Sequence, residues 1–227
     1  MAEDKPTQPA RAEDIESTMR RDTAEGIRQM RLAHVLSFAR PGSVSLRLPE
    51  NGFALTILQT MTEGEERPIH RFDLHDMQRN TTTDSSWADI ATIHATVLTE
   101  RPAAKTTLVF RGRFLTAWAI SRKPIPVRYF QLLNYTKAPE LPVALIDRPS
   151  DVLPLKRTLA ENPDAPCVLL SNGDVVTWSS TIVKAARLAI SLDEAAQVTA
   201  LADRLGGAKP YPAGIPEAIY TALAPYS

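Results

Sequence analysis

The segment Val168–Val176 constrains the fold more than any other part of the chain. It reads Val-Leu-Leu-Ser-Asn-Gly-Asp-Val-Val, so two apolar runs flank an Asn172-Gly173 pair. Asn-Gly is typical of the tight turn that joins two antiparallel strands, because both residues tolerate positive φ angles. We therefore predict a β-hairpin here, with positive φ at both central positions.

Periodicity and turn residues predict the remaining elements, and a mixed α/β domain follows from their order. They are a helix over 15–38, a half-buried strand over 43–48, its hairpin partner over 53–58, a helix over 84–99, a strand over 106–110, a short helix over 114–121, a strand over 143–146, a helix carrying Val152, Leu155 and Leu159, and a long helix over 180–205 that ends at Gly206-Gly207. Residues 1–14 are polar and predict a disordered arm, 15–207 form the domain, and 208–227 form a C-terminal tail rich in proline and tyrosine.

Composition excludes several classes of protein. The 26 basic and 26 acidic residues balance, which argues against binding to nucleic acid or to an anionic membrane surface. No apolar run approaches the roughly 20 residues of a membrane span, and the polar N-terminus lacks a signal-peptide core. We therefore expect a cytoplasmic protein. Its single cysteine, Cys167, lies in an apolar strand, where an inert buried thiol is expected.

Several short segments, in their order along the chain, carry a resemblance to a known family. They are Gly42-Ser43-Val44-Ser45-Leu46-Arg47, Asp84-Ser85-Ser86-Trp87, Arg101-Pro102, Pro142–Asp151, Leu169-Leu170-Ser171-Asn172-Gly173 and Asp193–Gln197. Together they resemble the class II aldolase/adducin family from about residue 23 to residue 207. The resemblance implies an α/β/α fold, with a central, mainly antiparallel sheet flanked by helices. It also implies a homo-oligomer, most simply a tetramer.

The metal ligands of that family are missing at the matching positions. The resemblance places the two strand histidines at Val109 and Arg111, and the hairpin histidine at Gly173. The family's catalytic glutamate is replaced by Trp87 or lost in a short insertion. Three neutral imidazoles normally hold the divalent metal that stabilises an enediolate. Valine and glycine side chains offer no lone pair, and a guanidinium repels a dication. We therefore expect no metal and no other cofactor.

The histidines that the chain does carry are scattered. Assembling a replacement metal site would require His34, His70, His75 and His94 to come together, which their spacing does not favour. His94 lies on the apolar face of its predicted helix, so a satisfied core histidine is the expected role.

The candidate site is built around Arg111, which is able to pin a carboxylate or phosphate in a bidentate fork. The alternative is a structural ion pair, with Asp174 or with a neighbouring subunit. Candidate ligand-binding residues are Arg40, Gly42, Ser43, Ser85, Ser86 and Arg111. Candidate catalytic residues are Arg111, Asp174 as a general base, and Tyr211 from a tail that closes over the site, as the resemblance implies. Helix capping by Ser85 and turn formation at Ser43 and Asp174 are the plainer alternatives.

Three functions remain open on the sequence. The first, which the sequence favours, is a repurposed, metal-independent and lyase-like enzyme or a binder of a small anionic molecule, because serines surround the expected pocket. The second is a non-catalytic oligomeric scaffold or partner subunit, which apolar Val109 and Trp87 favour. The third, a metal-dependent aldolase or epimerase, lacks its ligands.

Overall fold

A seven-stranded sheet lies between two layers of helices. The computed structural model describes residues 12–37, 42–49, 51–59, 66–74, 85–146, 148 and 151–223. The strands are β1 Ser43–Arg47, β2 Gly52–Ile57, β3 His70–Asp73, β4 Thr106–Phe110, β5 Ile125–Pro126, β6 Glu140–Leu141, β7 Val143–Ala144, β8 Cys167–Leu170 and β9 Val175–Ser179. The helices are α1 Ala12–Leu32, α2 Ser85–Glu100, α3 Arg113–Ile120, α4 Leu153–Glu161, α5 Ile182–Asp203 and α6 Ile215–Leu223, with a 3₁₀ turn at Phe130–Asn134.

The strand order in the large sheet is β3-β2-β1-β4-β9-β8-β7. Every neighbouring pair is antiparallel except β7 with β8. Strands β5 and β6 form a separate two-stranded sheet. The predicted fold class, an α/β protein with a mainly antiparallel central sheet, is confirmed.

Successive side chains of β4 point alternately toward the two helix layers. Leu108 and Phe110 face the layer of α1, α3 and α5, where the main core is packed. Val109 faces the opposite layer and packs with residues of α2 and α4. Successive strand residues point to opposite faces, so a central strand must be apolar on both. All five residues of β4 are buried.

Helix α1 differs from its prediction at both ends. It begins at Ala12, inside the predicted arm, and it ends at Leu32 rather than near residue 38. His34 adopts a left-handed backbone (φ 56°). Its N–H donates to the carbonyl of Arg31, and the N–H of Val35 donates to that of Met30. This is the Schellman arrangement, in which glycine is the usual residue, so the histidine gave no stop signal.

Two strand predictions need correction. β1 is an interior strand between β2 and β4, and Ser43, Val44 and Ser45 are all buried, so it is not half-buried. β3 was absent from the predicted elements, because Phe72 is its only apolar residue. Pairing with β2 stabilises this edge strand, and a local pattern does not report that pairing.

The predicted hairpin exists as β8 and β9, but its turn differs. Gly173 has φ 95°, whereas Asn172 is not among the residues with positive φ. The N–H of Gly173 donates to the carbonyl of Leu170, and the N–H of Leu170 donates to that of Asp174. The loop is thus a three-residue connection with a bulge at glycine, and not a two-residue turn. The prediction of positive φ at both central positions is wrong.

The C-terminal part of the chain packs on the body of the domain. Helix α5 is followed by Gly206 and Gly207, both with positive φ, as predicted for its end. Helix α6 contacts the 3₁₀ turn, and the hydroxyl of Tyr220 donates to the carbonyl of Thr136 at 3.1 Å. Cys167 is fully buried, as expected. Within the described ranges, no helix has the length and apolar character of a membrane span.

Candidate functional site

The candidate site lies where β4 ends beside the β8–β9 hairpin. β4 pairs with β9 in register, with Val109 opposite Val176 and Phe110 opposite Val175. This pairing carries Arg111, the next residue, alongside the hairpin loop. The structure therefore brings together two segments that lie about 60 residues apart, as the resemblance implied.

Arg111 joins these two segments through its side chain. Its Nε donates to Oδ1 of Asp174 at 2.6 Å, and its Nη2 donates to the carbonyl of Asn172 at 3.0 Å. The two charged side chains are 26% and 17% exposed. Of the alternatives for Arg111, the structure shows the ion pair with Asp174. The Arg111 guanidinium, which we predicted to bind an anionic ligand, is already paired with the carboxylate of Asp174.

Helix α3 covers the hairpin at Gly173. The hydroxyl of Thr116 donates to the Gly173 carbonyl at 2.9 Å. A Cβ atom at Gly173 would meet side-chain methyl groups of Thr116 at 3.2 Å and of Ile120 at 3.4 Å. Its positive φ disfavours other residues as well. A side chain at this position would require the methyl group of Thr116 to shift by a few tenths of an ångström.

Val109 occupies the remaining ligand position and belongs to the core. It is 7% exposed and packs in a cluster with Ile93, Val168 and Val176. The residues at the three family positions therefore do not fit a divalent metal: one is apolar, one is a paired cation and one lacks a side chain. Among the described residues, no group of three histidine, cysteine, aspartate or glutamate side chains is placed to hold an ion.

Ser43 faces a buried histidine. Its hydroxyl lies 2.8 Å from Nε2 of His94, and the hydroxyl of Ser45 lies 2.8 Å from Nδ1. Both ring nitrogens thus have a partner, with one serine donating and the other accepting. Burial lowers the pKa of His94 to about 3. His94 is the satisfied core histidine that we expected, and Ser43, 2% exposed, lies inside the protein rather than at the rim of a pocket.

Gly42 is required by a close approach of two backbones. Its φ is 98°, and a Cβ atom there would overlap the carbonyl oxygen of Val109. Ser85 and Ser86 open α2, but their side chains lie outside the described residues. Arg40 lies outside them too, and so does His75. The anion pocket predicted from these residues stays a prediction.

Tyr211 lies elsewhere in the structure. It is partly buried against the main core, near Arg128 and Tyr220, and burial raises the pKa of its hydroxyl. No hydrogen bond between described residues joins it to Arg111 or Asp174. Its predicted role over the site from a neighbouring subunit remains untested.

Asp193 entered the sequence analysis only within the segment Asp193–Gln197 that carries the resemblance, and not as a candidate site residue. It comes from α5, is 5% exposed, and its Oδ1 accepts hydrogen bonds from the N–H groups of Phe114 and Leu115, each at 3.0 Å. It thereby caps the start of α3, directly after Arg111. Burial raises its pKa, and the two backbone hydrogen bonds oppose that shift. The sequence did contain a signal for this role, because Asp193 is a carboxylate among the alanine and leucine residues of the buried face of α5.

Comparison with known proteins agrees with this geometry. Residues 22–200 match the model of the class II aldolase and adducin N-terminal domain. The chain belongs to the class II aldolase and adducin family.

Solved structures of similar fold include an L-fuculose 1-phosphate aldolase, with a TM-score of 0.72, 15% identity and coverage of 95% of this chain and 98% of that one. The L-fuculose 1-phosphate aldolase of Glaciozyma antarctica follows, with a TM-score of 0.68, 19% identity and coverage of 96% and 86%. That of Thermus thermophilus has a TM-score of 0.65, 16% identity and coverage of 86% and 100%. A search of curated proteins found no match. At these identities the likeness supports the fold alone.

Proposed function

We propose that this protein is a non-catalytic member of the class II aldolase and adducin family, acting as an oligomeric scaffold or partner subunit. The observation that carries this proposal is the Arg111–Asp174 ion pair, which occupies the junction of strand and hairpin. The position of a metal ligand has become a structural cross-link between two segments. The other two expected ligand positions also have structural roles in this proposal, since Val109 packs in the core and Gly173 lies under α3.

The chemistry of a class II lyase has no support in these side chains. Such a reaction needs an electrophile beside the substrate oxygens and a group that moves a proton. Asp174 is the nearest carboxylate, but it accepts a hydrogen bond from Arg111. His94 is buried between two serines and has a pKa of about 3, so it is neutral and shielded from solvent.

Exposed apolar side chains beside the hairpin support the assembly part of the proposal. Ile120 is 61% exposed and lies over Gly173, and Leu145 is 58% exposed on the segment that hydrogen-bonds Ser171. Large exposed apolar groups near one another are typical of contact surfaces. A second copy of the chain, in a closed homo-oligomer such as a tetramer, is the proposed occupant.

A second candidate is a metal-independent binder of a small carboxylate or phosphate. It is favoured by the 26% exposure of the Arg111 side chain. Its affinity would be reduced by competition with Asp174, which already neutralises the charge.

The experiment that tests the proposal combines metal analysis with an activity assay. Protein purified without chelator is analysed for bound metals, and then assayed for aldol cleavage of ketose and aldose phosphates with and without added Zn²⁺ or Mn²⁺. We expect less than about a tenth of a metal ion per chain and no cleavage above the buffer rate. One tightly bound ion per chain, or turnover that requires the added metal, would overturn the proposal.

A further inference from the structure

A cleft of about 500 Å³ lies on the face of the sheet covered by α1, α3 and α5. Its floor is one stripe of α5, which includes Ile190, Asp193 and Glu194. Its walls are the turn after α1, with His34, and the first turn of α3. The volume lies within the range of about 300–1,000 Å³ that is usual for small-molecule sites. Neither the ion pair at Arg111 nor the predicted anion pocket contributes to its lining.

Two acidic residues, Asp193 and Glu194, line the cleft, and only one carboxylate oxygen of Asp193 accepts hydrogen bonds from the described residues. Asp193 is 95% buried, and both hydrogen bonds from α3 go to Oδ1. Among the described residues, none donates a hydrogen bond to its second oxygen, Oδ2. Oδ2 is not among the described buried atoms that lack a hydrogen-bond partner, so it is open to water on the cleft side, and a charged donor from a ligand would replace that water. Glu194 follows directly and is exposed on the same floor, with the Tyr129 hydroxyl beside its carboxylate.

Arg113 adds a positive charge to the lining of the cleft. Arg113 opens α3, has an exposed side chain, and is near enough to Asp193 to oppose the rise in its pKa that burial causes. It forms no ion pair within 4.0 Å with any described carboxylate. Phe114 and Ile190 give the lining an apolar part. The start of α3 is already capped by Asp193, so the cleft is not built for a simple anion.

We infer that this cleft binds a small zwitterion of the α-amino-acid class. Its ammonium group donates to Asp193 Oδ2 and to Glu194, its carboxylate pairs with Arg113, and its apolar side chain lies along Phe114 and Ile190. This site is independent of the proposed function, because it does not include Arg111, Val109 or Gly173.

Three related probes test both charges of the ligand. L-Leucine carries the two charges, N-acetyl-L-leucine lacks the ammonium group, and L-leucinamide lacks the carboxylate. Binding of each to the full-length protein is measured by isothermal titration calorimetry up to about 20 mM. We expect L-leucine to bind, and each blocked derivative to bind about tenfold more weakly or not at all. No binding of L-leucine, or equal binding of all three probes, would overturn the inference.

Charge-neutralising variants then locate the site. Arg113→Gln and Glu194→Gln should each weaken L-leucine by about tenfold, since each removes one charge-assisted contact. The matched controls are Arg157→Gln and Glu161→Gln on α4, which packs on the opposite face of the sheet. Both controls should bind like the parent. Equal loss in variants and controls, or no loss in either cleft variant, would show that the leucine binds elsewhere.

Discussion

Arg111 and Asp174 form a partly buried ion pair, and such pairs have asymmetric energetics. Bringing both charges out of water costs about as much as their attraction returns, so the pair itself adds little. Removing one partner is different, because the other charge then stays in a partly desolvated place without a counter-charge. At 26% and 17% exposure, water screens part of this effect. The pair therefore acts chiefly to specify how the strand end and the hairpin meet.

Arg111→Ala and Asp174→Ala should each lower the melting temperature of the unliganded protein by a few degrees. We expect a loss of about 1–2 kcal/mol, which corresponds to roughly 2–8 °C in a domain of this size. The double variant should lose less than the sum of the two, because the contact can be broken only once. Differential scanning calorimetry measures all three, with exposed Arg122→Ala as the control. Additive losses would contradict a direct pair. If Arg111→Ala instead kept the parent's stability but lost a stabilisation by phosphate or carboxylate, the small-anion binder would be the better function.

His94 should make the protein less stable in acid. Its pKa falls from 6.5 to about 3 on folding because the ring is buried, so the unfolded chain binds the additional proton between these values. Stability therefore rises with pH across this window, and it falls as the pH drops below about 6.5, by at most about 1.4 kcal/mol per pH unit from this group. NMR of the folded protein checks the cause: the His94 ring signals should not titrate between pH 8 and pH 5. A titration midpoint near 6.5 for this ring would show that the Ser43–His94–Ser45 arrangement is open to solvent.

At the scale of elements, sequence reasoning succeeded where a signal is local. The hairpin, α5 with its two terminal glycines, and the short helix after Arg111 all follow from their own residues. Prediction from the sequence failed where the structure of a segment depends on contacts that its own residues do not indicate. β3 exists because β2 pairs with it, and α1 ends at Leu32 because His34 adopts a left-handed backbone that is usual for glycine.

In the candidate site, too, some features could be predicted from the sequence and others could not. The positions of Arg111, Gly173 and Asp174 beside one another could be predicted, because the resemblance places both segments at one site, and the pairing of β4 with β9 agrees. The direction in which an individual side chain points could not be predicted. Ser43 points to His94 in the core, and Asp193 reaches from α5 to the start of α3. Both depend on packing between elements that lie more than 50 residues apart.

Asp193→Ala should loosen α3. The substitution leaves the N–H groups of Phe114 and Leu115 without their acceptor in a buried place, at a cost of about 2–3 kcal/mol. Urea denaturation should show this as a lower midpoint, and hydrogen exchange at these two amides should quicken relative to the rest of α3. Asp203→Ala, at the exposed end of α5, is the matched control and should match the parent. Unchanged exchange at both amides would mean that Asp193 does not cap the helix.

At the scale of the whole molecule, the proposed scaffold role combines the family fold with Val109, Arg111 and Gly173 at the positions where the resemblance places metal ligands. The sheet, both helix layers and the hairpin are present, while Arg111 pairs with Asp174 and Val109 packs in the core. Selection for a fold without its chemistry is expected where surfaces rather than a reaction are used. The surface beside the hairpin is the proposed contact, since Ile120 and Leu145 are exposed there.

The oligomer should depend on that surface. Leu145→Glu and Ile120→Glu each place a charge in the proposed contact, where burying it without a partner is strongly unfavourable. We expect the parent to be a closed homo-oligomer by native mass spectrometry at about 10 µM, and both variants to shift to smaller species with unchanged circular dichroism. Leu205→Glu is the control, because Leu205 is 89% exposed beyond the end of α5. It should assemble like the parent. A monomeric parent would contradict the scaffold proposal, and an oligomer unaffected by both glutamates would place the contact on another face.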